Sequence, residues 1–133
     1  GEPMVGIYNA SSYAHDLDNA TNKQFVAEFQ KAYGRLPTLY AAFAYDVVMN
    51  IDAAVKSLNG KLDDRAAVAK AVKTAKFNSV RGSVSYGNNQ FLVQDYYLRQ
   101  VVKTKDGKIT NALQPGKLFT AHQDSYASQC GMK

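Results

Sequence analysis

Asp95-Tyr96-Tyr97-Leu98-Arg99-Gln100-Val101-Val102 is the stretch that decides the fold. Alternation puts Tyr96, Leu98 and Val102 on one face and Tyr97 and Val101 on the other, so both faces are apolar. A strand apolar on both faces is one covered on both faces, as inside a layered α/β sheet. Its backbone also needs a hydrogen-bonded neighbour on each edge. No obvious partner stands elsewhere in these 133 residues. The expectation is therefore that Asp95 to Val102 pairs with polypeptide outside this chain, or with a second copy of it.

Immediately upstream, Val80, Ser83 to Tyr86, a Gly87-Asn88-Asn89 turn and Phe91 to Val93 predict a β-hairpin. Before it, three runs follow the helical period. Phe25, Phe29, Ala32 and Tyr33 share one face, with Asn19 or Thr21 as N-cap, Gly34 as C-cap and Pro37 blocking continuation. Thr38 caps the longest run, in which Tyr40, Ala44, Val47, Val48, Ile51, Val55 and Leu58 form an apolar stripe expected to face the core. A third helix starts at Asp63-Asp64 and runs to about Ala75, with Val68, Ala71, Val72 and Ala75 inward. Its acidic start and the late Lys70, Lys73 and Lys76 complement the helix dipole. Met4 to Tyr8 predicts a short buried strand leading into a polar loop, Asn9 to Asn19. Downstream, Asp106-Gly107 marks a turn, followed by a short strand near Ile109 and a tail carrying Leu118, Phe119 and Tyr126.

Composition narrows the function classes. A hydrophobic content of 46% suffices for a core, and no apolar run is long enough to span a bilayer as a helix. The formal charge is +5, but the basic residues are scattered over helix backs and ends. Lys103, Lys105 and Lys108 cluster around a turn without interleaved aromatics, which favours a solvated hairpin tip over a phosphate-binding patch. No nucleic-acid partner is expected. No leader-like segment opens the chain at Gly1-Glu2-Pro3, as would hold for a mature protein or for a fragment.

The chemistry of catalysis is missing from the motifs. There is no GxSxG elbow, phosphate-binding glycine loop or dinucleotide fingerprint. His15, Asp16 and Asp18 fail the calcium-loop pattern at Ala20 and Thr21, and His122 with Asp124 supplies too few ligands for a metal. The chain is therefore expected to be no enzyme, with no cofactor and no metal. Tyr8 and Tyr13 flank Asn9-Ala10-Ser11-Ser12 just past a strand end, the place where α/β folds hold ligands. Tyr8, Asn9, Ser11, Ser12 and Tyr13 are accordingly the candidate binding or hinge residues, the alternative being that both tyrosines serve packing. Cys130 is either a free thiol on a tail or half of a disulfide whose partner lies outside the chain.

Several runs in order resemble a known family. They are Asn22-Lys23-Gln24-Phe25-Val26, Tyr33-Gly34-Arg35-Leu36-Pro37, Ala44-Tyr45-Asp46-Val47 and Phe77-Asn78-Ser79-Val80-Arg81-Gly82, then Gln94 to Val101. The chain is similar to the C-terminal portion of the leucine/isoleucine/valine-type solute-binding proteins of ABC importers. The ending Gln123-Asp124-Ser125-Tyr126 to Cys130-Gly131-Met132 resembles a subgroup that binds aromatic carboxylates. The resemblance implies an α/β fold, part of a two-lobed type I periplasmic binding fold with three-layer αβα lobes, incomplete as given. It implies residues 1–12 as a strand of the closing lobe with a hinge, and 13–94 as helices and hairpin of the first lobe. Residues 95–133 would supply a closing-lobe strand and the tail, with a second crossover near Leu92 to Asp95. The implied partners are an amino acid or small aromatic carboxylate, a membrane permease, and the rest of the polypeptide or a second copy. The implied location is periplasmic, and Cys130 would pair with a cysteine of the missing upstream part. The same fold serving as the ligand sensor of a regulator or receptor is the alternative, and a small basic nucleic-acid-binding protein is the rival from another class.

Overall fold

Asn19, Thr38 and Asp64 each turn the chain into a helix, and a computed structural model, which describes residues 1–132, shows how. The Asn19 side chain accepts from the Asn22 N–H at the start of α1 (Ala20–Tyr33). Thr38 accepts from Ala41 N–H before α2 (Leu39–Ser57), and Asp64 accepts from Ala66 and Ala67 before α3 (Arg65–Thr74). Each cap satisfies a backbone donor that the first helical turn leaves free. Gly34 ends α1 at φ 66°, a left-handed conformation that a side chain would strain.

The strands are β1 (Tyr8–Ser11), β2 (Val84–Tyr86), β3 (Leu92–Lys103), β4 (Ile109–Leu113) and β5 (Phe119–His122). All pair with β3, and every ladder is antiparallel. The two apolar runs on either side of Gln94 are thus one 12-residue strand. β2 and β5 lie against its beginning, through Leu92–Gln94 and Gln94–Tyr96. Its later part carries β1 opposite Tyr97–Gln100 and β4 opposite Arg99–Lys103.

This pairing corrects the expectation that Asp95 to Val102 lacks partners within the chain. The missing neighbour was β1, which begins at Tyr8, the last residue of the apolar run that predicted a strand. Met4 falls instead in a 3-10 turn (Glu2–Met4), and Gly6, at φ 94°, turns the chain so that Gly6 and Ile7 begin the pairing through Val101. Met4, Val5, Ile7 and Tyr8 are exposed, and Asn9 to Ser11, assigned to a loop, form the strand. Backbone pairing and the polar side chain of Asn9 recruit this segment, so hydrophobic alternation could not reveal it.

The stripe expected to be inward on α2 is the second correction. Tyr40 is 80% exposed, Val48 63% and Ile51 50%, Ala44 is exposed and Val55 is half-buried. The buried row is Ala42, Asp46, Asn50 and Ala54, spaced by four and hence aligned along the helix. Two polar anchors select that face. Asp46 binds the segment before β2, and Asn50 donates to the Val72 carbonyl of α3. The core is a small cluster of Tyr13, Ala14, Leu17, Phe25, Ala42, Val80 and Tyr97. Within it the Phe25 ring stands 4.9 Å from Tyr45 and 5.8 Å from Phe29. It seals the space between α1, α2 and the start of the sheet.

Candidate functional site

Beyond Ser11 the chain leaves β1 and crosses to α1 through a loop that hydrogen bonds hold in place. The Asn22 amide, fully buried on α1, donates to the carbonyls of Ala14, His15 and Leu17. The Asn19 amide donates to the Val80 carbonyl. These anchors pull Tyr13 inward to 1% exposure. Burial, with Asp16 and Asp46 nearby, pushes its phenol well above the usual tyrosine range, so it stays neutral. Its hydroxyl finds no hydrogen-bond partner among the described residues.

Arg99, on β3, reaches across to this crossover. Its Nε and Nη2 donate to Asn9 Oδ1 at 3.0 and 2.7 Å, and its Nη1 donates to the Tyr13 carbonyl at 3.2 Å. Asn9 in turn donates to Asn111 of β4 at 2.7 Å. Partial burial lowers the Arg99 pKa, opposed by the carboxylate of Asp16. Asp16 itself accepts from the Leu113 N–H. Of the candidate residues, Asn9, Ser11, Ser12 and Tyr13 therefore gather at one crossover, with Ser11 Oγ accepting from Tyr13 N–H. Tyr8 stands apart, 57% exposed on β1. Cys130 is half-buried and unpaired among the described residues.

A second polar centre went unnoticed in the motifs. Asp46 accepts from Ser79 Oγ at 2.6 Å, Val80 N–H at 3.0 Å and Arg81 Nε at 2.7 Å. The pair is 2% and 5% exposed, so its mutual attraction is little screened by water. Arg81 stacks 4.6 Å over the Phe43 ring and donates to Gln94 of β3 at 2.7 Å. It thereby forms the wall of a cavity of about 500 Å³ that also takes Phe43, Phe91, Gln94, Tyr96 and His122. β5 places His122 edge-on to Tyr96 at 5.5 Å. Asp46 and Gln94 already engage the guanidinium, and the Asp124 carboxylate also lines the cavity, so what its walls offer a solute is chiefly the ring surfaces of Phe43, Phe91 and Tyr96. The signals in the sequence were a carboxylate inside the apolar run of α2 and an arginine beside Gly82, both inside runs that carried the resemblance.

Next to this cavity, Asp95 is 3% exposed, meets Lys117 at 2.6 Å and accepts from the Ala121 N–H. Burial pushes its carboxyl up, but Lys117 and Ala121 outweigh this and hold it below its ordinary value of 3.8. A lowered carboxyl pKa adds stability that is complete above the unfolded value and fades as pH falls through the folded one. Lys117→Met is therefore expected to destabilise the chain most at neutral pH, with the difference shrinking below about pH 4. Urea unfolding of both proteins across that range measures it, and a pH-independent difference would contradict the assignment.

Comparison with known proteins meets this geometry. The profile described as Periplasmic binding protein matches residues 1–108. The chain belongs to the periplasmic binding protein family. It is 35% identical over 114 residues to Leu/Ile/Val-binding protein homolog 6 of Brucella abortus (strain 2308), covering 84% of this chain and 29% of that protein. A solute-binding protein of an ABC transporter from R. palustris, solved in complex with benzoate, superposes with a TM-score of 0.79 at 34% identity. The match covers 94% of this chain and 33% of that one. A solute-binding protein from Rhodopseudomonas palustris HaA2, solved with p-hydroxybenzoic acid, gives 0.81 at 33% identity, covering 98% and 35%. The chain thus spans about a third of its relatives' length, and its helices and sheet are part of the type I fold of this family.

Proposed function

We propose that the complete protein is the extracytoplasmic solute-binding component of an ABC importer, which captures its solute by closing two lobes and delivers it to a membrane permease. The observation that carries this reading is the change of partners along β3. At Leu92–Gln94 the strand is paired to β2 beside the helices, and from Tyr97 onward it is paired to β1 and β4. The bulge between Gln94 and Tyr96 falls between the two pairings. Residues 13–94 would belong to one lobe, and residues 1–12 with 95–133 to the other. Two crossovers then lie side by side, at Ser11 to Tyr13 and Leu92 to Asp95, and small torsional changes there would rotate the lobes.

The solute would be a small carboxylate, aromatic or of the amino acid type. Relatives of about a third identity carry both descriptions, and Phe43, Tyr96 and His122 offer ring surfaces against which a planar solute can stack. Capture makes and breaks no covalent bond, so it asks for complementarity rather than a nucleophile or base. Calorimetry on the complete protein with benzoate, 4-hydroxybenzoate and leucine is the test. Saturable binding of at least one below millimolar concentration is expected. Failure of all three, together with salt-sensitive binding to DNA, would replace this reading by that of a basic nucleic-acid-binding protein.

A further inference from the structure

We propose that Tyr97 and Arg99 are positioning residues that clamp the hinge, so that the resting angle between the two lobes is set by hydrogen bonds from side chains of one lobe to the backbone of the other. The proposal rests on the lobe division given above. Both residues stand on β3 past its bulge, two positions apart and therefore on the same face of the strand. The Tyr97 hydroxyl donates to the Arg81 carbonyl at 2.8 Å, and Arg99 Nη1 donates to the Tyr13 carbonyl at 3.2 Å. Each crosses from residues 95–133 to residues 13–94, and each lands next to a different part of the helical lobe. The Arg81 carbonyl lies in the segment held to α2 by Asp46, and the Tyr13 carbonyl ends the crossover itself, where the Tyr13 ring is seated in the core beside Phe25 and Ala42.

Local chemistry favours both contacts. Gly82 has φ 100°, and a Cβ there would stand 3.1 Å from the Tyr97 hydroxyl, so this glycine leaves the room through which Tyr97 reaches Arg81. Tyr97 is 6% exposed, and its phenol pKa is raised by burial and by Asp95, so the hydroxyl keeps the proton it donates. Arg99 is held flat by the double contact to Asn9, which fixes the direction of its remaining arm. The Asp16 carboxylate, accepting from Leu113 N–H at 2.9 Å, ties the same two bodies a third time from the opposite direction. Three short ties around the crossovers restrict rotation without blocking it, because side chains can follow a carbonyl over small angles.

A clamp of this kind limits the range of unliganded angles and keeps a capture-competent fraction populated. Releasing one tie spreads the angles and lowers that fraction, which weakens apparent affinity in proportion. The test is Tyr97→Phe in the complete protein, which removes only the hydroxyl and keeps the packed ring. Spin labels on non-canonical residues introduced at Lys31 and Lys105, exposed positions on the two bodies, report the unliganded distance distribution. Calorimetry reports the Kd for whichever solute the parent binds. A broadened distribution is expected, with a rise in Kd of about threefold to tenfold, the loss of one ordinary hydrogen bond. An unchanged distribution overturns the clamp, whatever happens to Kd or to the melting temperature. A broadened distribution with unchanged Kd overturns its role in capture. The distance measurement needs no solute, so a parent that binds none of the tested carboxylates refutes the transport reading and leaves the clamp to be judged on its own.

Discussion

Asp46→Ala should destabilise the chain by about 3–5 kcal/mol. The carboxylate receives hydrogen bonds from Ser79, Val80 and Arg81, all from the segment that leads from α3 into β2. Removing it strands a guanidinium that is 5% exposed, together with a buried N–H and a buried hydroxyl. The cost lies in those orphaned groups and not in the ion pair as such, since a buried pair also forfeits the hydration of both charges. A double substitution therefore separates the two contributions. Asp46→Leu with Arg81→Met should cost clearly less than the sum of its singles, because neither charge is then left alone. Denaturant unfolding of the set measures this, and additive singles would show that the two side chains act independently.

Tyr13→Ala should cost about 3–5 kcal/mol, the range for truncating a buried aromatic ring. Tyr13 sits in the core cluster with Phe25, Ala42, Val80 and Tyr97, and truncation would empty the space that joins the crossover to α1. Tyr13→Phe provides the contrast. Its hydroxyl is buried with no partner among the described residues, so its removal should be neutral or stabilising by up to about 1 kcal/mol. A loss of several kcal/mol in Tyr13→Phe would mean that the hydroxyl is satisfied by a bound water. Because the side chain faces the core, effects of Tyr13→Ala on solute capture are expected to come through the crossover it anchors. Comparing the Kd of the two variants distinguishes this from direct contact: equal loss in both would point to the hydroxyl and the solute.

Local chemistry was legible in the sequence wherever one residue type answers one backbone need. Asn19, Thr38 and Asp64 cap helices because their side-chain oxygens reach free N–H groups, and Gly34 ends α1 because its φ is positive. The hairpin between β2 and β3 and the turn at Asp106-Gly107 followed from the same reasoning. The runs around Asp46, Arg81 and Gln94 were also enough to suggest the family. Three matters were settled only by the tertiary structure. β1 was recruited by backbone pairing to a strand some ninety residues away, and a polar segment such as Asn9-Ala10-Ser11 carries no hydrophobic signal of that. On α2 the face buried within this chain is the row with Asp46 and Asn50 and not the wide apolar stripe, because those two have partners on α3 and on the segment before β2, and a buried polar group turns toward its partner. The third was which polar residues face one another. Arg99 meets Tyr13, and Tyr97 meets Arg81, only because β3 runs past both crossovers, and no periodicity within either segment encodes a distance between them.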